Sequence, residues 1–327
     1  MTDLVNDLLA GNRRALARLL TLVENNQAET ELSTIYPHTG KAWVIGVTGA
    51  PGTGKSTLVN EMTKAYRTQG KTVAIIAVDP TSPFSGGAIL GDRIRMRDLS
   101  GDAGVFIRSM ATRGNLGGLS RATRDSIRLF DAAGYHTVIV ETVGAGQNEV
   151  DIVRAAYTTI VVEAPGLGDD VQAIKAGILE IADILIVNKV DRQGAAHTLN
   201  SLKMMLDLGH PVDKLNHHGR TMSVTPSPTH SRLWIPPILQ TVAAEGKGID
   251  DVLTAIDNHR LYLEETNGLA HLEAENLQVE LMDRLHDGLM ARLLRDLSPD
   301  ALAAVVKQIQ ARELDPQTAV KALMEKL

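Results

Sequence analysis

The chain has 327 residues, enough to bury a sizeable core, and a formal net charge of −6. That charge argues against a general nucleic-acid binder, because no broad basic field is expected. The absence of cysteine excludes disulfides, thiolate metal sites and cysteine nucleophiles. The first residues lack the basic start and apolar core of a signal peptide, and no stretch approaches the roughly 20 apolar residues of a membrane span. We therefore expect a cytoplasmic protein with no membrane or nucleic-acid partner.

The first 35 residues predict helices. Apolar side chains recur at near-helical spacing from Leu4 to Val23. Gly11 interrupts this pattern and is expected to divide it into two helices. We assign residues 1–40 to an N-terminal helical extension.

Short apolar runs then alternate with helical patterns. Strands are predicted at residues 43–47, 73–78, 105–107, 138–140, 159–162, 184–187 and 238–242. This alternation is typical of an α/β fold, with a parallel sheet flanked by helices. Several strands end at a polar residue, and in such folds the sites form outside the carboxyl ends of the strands.

A glycine-rich run follows the first predicted strand. It is Gly49-Ala50-Pro51-Gly52-Thr53-Gly54-Lys55-Ser56-Thr57, which fits the phosphate-binding pattern G-x-x-x-x-G-K-[ST]. The glycines let backbone N–H groups wrap a polyphosphate at the start of the following helix. Lys55 would bring positive charge to the terminal phosphates, and the Ser56 hydroxyl can ligate Mg2+. Because a strand and a helix flank the run, we interpret it as a nucleoside triphosphate site rather than a chance glycine-rich turn.

The run Asn188-Lys189-Val190-Asp191 follows another predicted strand and fits the pattern N-K-x-D. A carboxylate at Asp191 can accept hydrogen bonds from the ring N1–H and the exocyclic amino group of guanine. Adenine would leave the same carboxylate badly paired. The pattern therefore indicates GTP. Ala243 lies where GTPases usually have a serine-alanine pair, with Val242 at the serine position, and we expect a backbone contact from Ala243 to guanine.

Three carboxylates suit a hard cation. Asp79 ends the second strand, Asp92 lies in the segment after it, and Glu141 ends a buried strand. Together with Ser56 they would form an oxygen-rich shell for Mg2+. Taken alone, Asp92 is better explained as a helix cap. Glu141 is unusual, because most GTPases have aspartate at that place.

Phosphoryl transfer needs charge neutralisation and positioning more than a strong base. The N–H of Gly144 is expected to meet the γ-phosphate. Gln147 would orient the attacking water or be an ordinary loop amide, and the sequence favours neither. Arg93, Arg95 or Arg113 is a candidate to complete the site when a partner binds, although surface charge explains any one of them more readily. Slow intrinsic hydrolysis is expected.

Beyond about residue 250 the chain is predicted to be helical. Ser298-Pro299 and Asp315-Pro316 each join a capping side chain to a proline at the first helical position. A leucine series lies in register: Leu277, Leu281, Leu285, Leu289, Leu293 and Leu294. Such a stripe needs a partner surface, either in the same domain or in a second copy. We assign residues 41–258 to the GTPase domain and residues 259–327 to a C-terminal arm.

Seven motifs in order carry a family resemblance: G-A-P-G-T-G-K-S-T, V-D-P-T-S-P, G-G-A-I-L-G-D-R-I-R-M, G-N-L-G-G-L, E-T-V-G-A-G-Q, G-D-D-V-Q-A-I-K-A-G and V-N-K-V-D. The sequence resembles the methylmalonyl-CoA mutase-associated GTPases, which are G-protein chaperones of adenosylcobalamin-dependent acyl-CoA mutases. An older label for them is lysine/arginine/ornithine transport kinase. The resemblance extends from about Val44 to Val252.

The resemblance implies a P-loop GTPase fold with helical extensions at both ends, dimeric through the C-terminal arm. It implies GTP hydrolysis that gates cofactor loading, protection and reactivation on the mutase, with the adenosyltransferase as a candidate further partner. Asp79, Asp92, Glu141 and Ser56 match the family's Mg2+ residues. Lys175 matches a lysine that is implicated in coupling the nucleotide state to the mutase.

The switch regions of the family are matched by residues 81–120, 141–150 and 164–176. The chain departs from the family pattern at Ile94, where threonine is common, and at residues 163–167, which replace a more glycine-rich entry to the third switch. Because that switch faces the partner, the departures leave open which mutase is served.

Three alternatives remain. A nickel-insertion GTPase needs His or Cys ligands, and only the adjacent pair His217-His218 stands out. An ATP-dependent kinase of an amino-acid transport system is disfavoured by the Asn188–Asp191 run and by the absence of H-R-D and D-F-G motifs. A purely structural binding module is least favoured, because the magnesium-site carboxylates would have no task.

Overall fold

The computed structural model describes residues 2–80, 96–99, 101–112, 121–142, 155–166, 181–209, 234–296 and 299–324. Contacts group the chain into two compact units, residues 1–269 and residues 270–327. The predicted domain boundaries after residues 40 and 258 stay predictions. Within the described ranges, no helix is long and apolar enough to cross a membrane.

A parallel sheet of seven described strands forms the centre of the first unit. They are β1 (Trp43–Thr48), β2 (Val73–Pro80), β3 (Val105–Thr112), β4 (Thr137–Thr142), β5 (Thr158–Glu163), β6 (Ile184–Asn188) and β7 (Ile238–Thr241). Their order across the sheet is β3-β2-β4-β1-β5-β6-β7, and every pair is parallel. All carboxyl ends therefore lie at one edge. The predicted α/β class and parallel sheet are confirmed.

The described helices of the first unit are α1 (Thr2–Leu9), α2 (Arg13–Glu24), α3 (Glu29–Ile35), α4 (Lys55–Thr68), α5 (Arg121–Ala132), α6 (Ala195–Gly209) and α7 (Ile249–Glu265). Helix α8 (Gly268–Asp296) leads into the second unit, which also contains α9 (Pro299–Gln310) and α10 (Pro316–Met324). Gly11 separates α1 from α2 with φ 82°, as expected. Asp315 caps α10 by accepting from the backbone N–H groups of Gln317 and Thr318.

Two large apolar cores cover the two faces of the sheet, and a small third cluster at β5 and β6 contains Val161 and Leu185. Successive residues of β1 alternate between the two large cores, because strand side chains point to opposite faces: Val44 packs in one core and Ile45 in the other. Helices α1, α2, α3 and α5 bury side chains such as Leu8 and Phe130 in the first core. Helices α4 and α7 supply Met62 and Ile256 to the second. The strands read as continuous apolar runs in the sequence because both faces are buried.

A polar pair, the buried His259 and the half-buried Asp183, lies at the amino ends of β5 and β6. His259 Nε2 lies 3.4 Å from Asp183 Oδ1, and His259 Nδ1 lies 3.0 Å from the Thr158 hydroxyl. The indole of Trp234 donates to the Asp183 carbonyl at 2.8 Å, and its ring centre lies 4.7 Å from that of His259. Burial raises the pKa of Asp183 to about 7 and lowers the pKa of His259 to about 4. The fold therefore carries a carboxyl group that resists ionisation near neutral pH.

Replacing Asp183 by asparagine is expected to stabilise the protein increasingly as the pH rises from about 4 to about 7. The folded-state pKa of Asp183 lies above its unfolded value, so the unfolded chain loses this proton first and the carboxyl group destabilises the fold over that window. Asparagine does not titrate. Because the Asp183 side chain is 31% exposed, we expect the free energy of unfolding to rise by about 1–2 kcal/mol, which is less than the whole pKa shift would correspond to.

Urea unfolding of both proteins across this pH range measures the effect. The control is Asp257→Asn, which removes an exposed carboxylate on α7. A stability difference between Asp183→Asn and the unmodified protein that does not change with pH would contradict the expected burial effect.

Candidate nucleotide-binding site

The glycine-rich loop joins β1 to α4, as the motif predicted. Strand β1 ends at Thr48 and α4 begins at Lys55. Gly49 and Gly54 have φ values of 139° and 97°, which residues with a side chain rarely adopt. A Cβ atom at Gly49 would also collide with the carbonyl of Val162, and one at Gly54 with the amide nitrogen of Asn188. Glycine is therefore required at both positions by conformation and by close approach.

Two side chains at the start of α4 are buried in this loop. Lys55 Nζ donates to the carbonyls of Gly49 and Ala50, at 2.7 and 3.0 Å. The loop thus curls around an ammonium group at the N-terminus of a helix, where the backbone also favours negative charge. The Ser56 hydroxyl donates to Glu141 Oε1 at 2.5 Å, so the end of β4 reaches the same place. The predicted loop residues and Glu141 therefore meet at the carboxyl edge of the sheet.

The Asn188 amide joins three segments. This side chain is at the end of β6 and is only 2% exposed. Its Nδ2 donates to the carbonyl of Thr53 at 2.9 Å. Its Oδ1 accepts from the Ala243 N–H and from the Thr241 hydroxyl, each at 3.0 Å. The Thr53 carbonyl can only accept and the Ala243 N–H can only donate, so these partners fix the orientation of the amide.

Lys189 adds a second link, because its Nζ donates to the Gly52 carbonyl at 2.6 Å. Asp191 is exposed at the rim of the same edge. Asp191 acts electrostatically on Lys247, because the pKa of Lys247 is raised mainly by Glu245 and further by the charge of Asp191. The segments after β6 and β7 therefore converge around Asp191.

The structure places residues 49–57, Glu141, Asn188, Lys189, Asp191 and Ala243 at the carboxyl edge. The backbone of Asp79 ends β2 at this edge, and its side chain lies outside what the structure describes. The following predicted residues also lie outside the described ranges: Asp92, Arg93, Arg95, Arg113, Gly144, Gln147 and Lys175. In the ranges that are described, no three His, Asp or Glu side chains cluster as a metal site.

The role of Thr241 was not predicted from the sequence. The predicted backbone contact from Ala243 to guanine stays a prediction, and the Ala243 N–H donates to Asn188 in this structure. Thr241 is the last residue of β7 and its position pairs with Asn188 in the parallel register. A polar residue at a strand end was the available signal for it.

The family model of the methylmalonyl Co-A mutase-associated GTPase MeaB matches residues 16–297. The chain belongs to the MeaB family. It is accordingly a P-loop GTPase, an enzyme that hydrolyses GTP to GDP and phosphate, with helical extensions at both ends of the domain. The predicted family and enzyme class are confirmed.

Relatives of this MeaB-family chain match it end to end. A protein of Pyrococcus horikoshii, whose name includes the term GTPase, is 46% identical over 327 residues, covering 99% of this chain and 98% of that protein. GTPase ArgK of Escherichia coli is 33% identical over 332 residues, covering 99% and 96%. A crystal structure described as the LAO/AO transport system kinase superposes with a TM-score of 0.70 at 26% identity, covering 99% and 96%.

Replacing Thr241 by valine is expected to lower the free energy of unfolding by about 1 kcal/mol and to weaken GDP binding. Valine has the same shape but cannot donate a hydrogen bond. The Asn188 amide oxygen then loses one of the two hydrogen bonds that it accepts. Unfolding in urea and GDP titration measure the two effects. Thr241→Ser keeps the hydroxyl and is the matched control, so equal losses in both variants would show that the hydroxyl does not hold the amide.

Proposed function

We propose that GTP binds along the carboxyl edge, with its phosphates in the loop of residues 49–57 and its guanine beside Asn188, Lys189 and Asp191. The observation that carries this proposal is the Asn188 amide, which hydrogen-bonds both the phosphate loop and the segment after β7. A ligand that spans these two places has phosphates at one end and a base at the other. The carboxylate of Asp191 then distinguishes guanine from adenine.

The residues of the loop are suited to a charged polyphosphate. Lys55 would exchange its carbonyl partners for the β- and γ-phosphates, and the loop N–H groups would donate to the same oxygens. Such contacts neutralise charge in a phosphoryl transfer, which requires little covalent help from the protein. The roles of Gly144, Gln147 and Lys175 stay predictions from the sequence.

The chemistry of Ser56 and Glu141 fits Mg2+. A buried hydroxyl and a buried carboxylate lie in contact beside the phosphate loop, and both are oxygen ligands of the kind that hard divalent cations prefer. Ser56 and Glu141 would hold the ion, with Asp79 and Asp92 as the further carboxylates that the sequence indicates. The bound ion would neutralise charge on the phosphates.

We further propose that the GTPase serves an adenosylcobalamin-dependent acyl-CoA mutase as a chaperone, with the adenosyltransferase as a further partner. The support is the family, whose description names association with methylmalonyl-CoA mutase. Nucleotide-dependent ordering of segments near the γ-phosphate is the physical route by which hydrolysis would gate cofactor loading and reactivation. A cytoplasmic location stays a prediction from the sequence.

The second unit supports a homodimer. Helix α8 presents leucines and methionines to solvent along its length, with Leu281 67% exposed and Leu285 52% exposed. Exposed apolar side chains in such a stripe favour a partner surface of the same character. We therefore propose that α8 packs against its counterpart in a second copy.

Replacing Asp191 by asparagine is expected to weaken GTP binding about 100-fold and to favour xanthosine triphosphate. Xanthine has a carbonyl where guanine has its amino group, so it suits an amide donor and not a carboxylate. Competition binding with GTP, xanthosine triphosphate and ATP measures the preference. The exposed Asp251→Asn is the control, and an unchanged preference for GTP in Asp191→Asn would remove Asp191 from the base site.

The partner proposal predicts that the adenosylcobalamin-dependent mutase of the same organism raises GTP turnover roughly tenfold or more. Phosphate release is measured with the purified protein, with and without the mutase, and with ATP as the control nucleotide. If the mutase leaves GTP turnover unchanged, the mutase is not the partner, although the chain is still a GTPase. Transfer of the γ-phosphate to a protein instead of water would favour the kinase alternative.

The arm proposal predicts that the double variant Leu281→Glu/Leu285→Glu is a monomer in light scattering, because buried unpaired carboxylates would oppose the contact. The unmodified chain should have the mass of a dimer. The control is the double variant Glu273→Gln/Glu275→Gln on the same helix, which leaves the leucine stripe intact. A dimer that persists in the leucine variant would exclude this surface.

A further inference from the structure

A cavity of about 310 Å3 lies at the amino edge of the sheet, opposite the carboxyl edge that we propose for GTP. Its walls come from the turn before α2 and from the residues that precede β2, β3 and β4, among them Thr72, Ala103 and Tyr135. The volume falls at the lower end of the range for small-molecule sites, which is about 300–1,000 Å3. None of the residues that line the cavity belongs to the proposed nucleotide site.

Arg13 gives this cavity a positive wall. Its guanidinium donates to the carbonyls of Ala103 and Val105, at 2.5 and 2.8 Å, and lies 5.3 Å from the ring centre of Phe106. These neutral partners position the group without cancelling its charge. The neighbouring carboxylate of Asp102 accepts from Nε and Nη2 of Arg67, at 2.9 and 3.0 Å. Arg67 contributes most to the lowered pKa of Asp102, and the charge of Arg13 adds to it. Among the residues with described contacts, Arg13 forms no ion pair.

Tyr135 supplies an unused donor. This residue is 8% exposed and lines the cavity, and its ring packs edge-on against Phe130 at 5.5 Å. No described residue is a hydrogen-bond partner of its hydroxyl. The hydroxyl oxygen is not itself buried, so it reaches solvent and can donate to a molecule in the cavity. Burial raises the pKa of Tyr135 and the charge of Arg13 opposes that shift, which fits two groups that face one space.

The N-terminus of α2 adds to the same field. Asn12 caps this helix of 12 residues by accepting from the N–H groups of Arg14 and Ala15. The positive end of the helix and the Arg13 guanidinium therefore lie at the same wall, where negative charge is favoured.

We propose that this cavity binds a small molecule that carries a carboxylate or phosphate group. The Tyr135 hydroxyl donates a hydrogen bond to the anionic group, and Arg13 with the start of α2 provides the attraction. Binding would link α2 to the amino ends of β2, β3 and β4. The proposed GTP site takes no part in this contact.

Fluorine NMR of protein labelled with 3-fluorotyrosine tests the proposal. The chain has five tyrosines, and Tyr135→Phe identifies the Tyr135 resonance by its loss. The full-length protein is saturated with magnesium and GDP, so that the phosphate loop is filled. Sodium acetate and inorganic phosphate are then titrated separately at constant ionic strength. Acetate represents a carboxylate ligand, and phosphate represents a phosphorylated one.

We expect at least one of the two probes to shift the Tyr135 resonance saturably, with a Kd of about 1 mM or tighter. The Arg13→Gln variant should lose this response. The Arg14→Gln variant should keep it, because Arg14 is the adjacent exposed residue of α2 and does not line the cavity. If Arg13→Gln unfolds, Arg13→Lys replaces it, and this variant should respond because the positive charge remains.

Two results would overturn the proposal. One is a Tyr135 resonance that neither acetate nor phosphate shifts. The other is a response of folded Arg13→Gln equal to that of the unmodified protein. A shift with only one probe assigns the ligand class to that anion.

Discussion

The buried amide of Asn188 is the interaction on which the rest of the site depends. Segments separated by more than 130 residues meet at this one side chain: the phosphate loop through Thr53, and the end of β7 through Thr241 and Ala243. Because the amide is buried, breaking any of these bonds would leave a polar group without water as a substitute. The phosphate loop and the proposed base site are therefore held as one structure.

The parallel sheet makes this connection possible and also explains the glycines of the loop. Strand β5 lies between β1 and β6, so the loop after β1 passes over the end of β5 to reach Asn188. A side chain at Gly49 would collide with β5 at Val162, and one at Gly54 with Asn188 itself. The glycines thus let the loop lie close to the neighbouring strands, and they also let its backbone wrap around phosphates.

Patterns in the sequence were sufficient for the architecture but not for the links within it. Buried strands such as β6 are continuous apolar runs, so their place is visible without a structure. Strand β3 was predicted to end at Ile107, but it extends to Thr112. The prediction stopped early because Arg108 is polar, and the ion pair of Arg108 with Glu24 of α2 depends on the fold. The hydrogen bond of Thr241 was not predicted for the same reason, because its partner Asn188 is set by the register of β7 against β6. A motif shows which residues are present, whereas the network among them follows from strand order.

The most direct test of this account is the binding of GDP and of inorganic pyrophosphate to the unmodified protein and to Asn188→Ala. Pyrophosphate has no base, so it reports on the phosphate loop alone. If Asn188 holds the loop through Thr53, the variant should lose affinity for both ligands, by about tenfold or more for pyrophosphate. A variant that binds GDP weakly and pyrophosphate normally would contradict the account, because Asn188 would then act only beside the base.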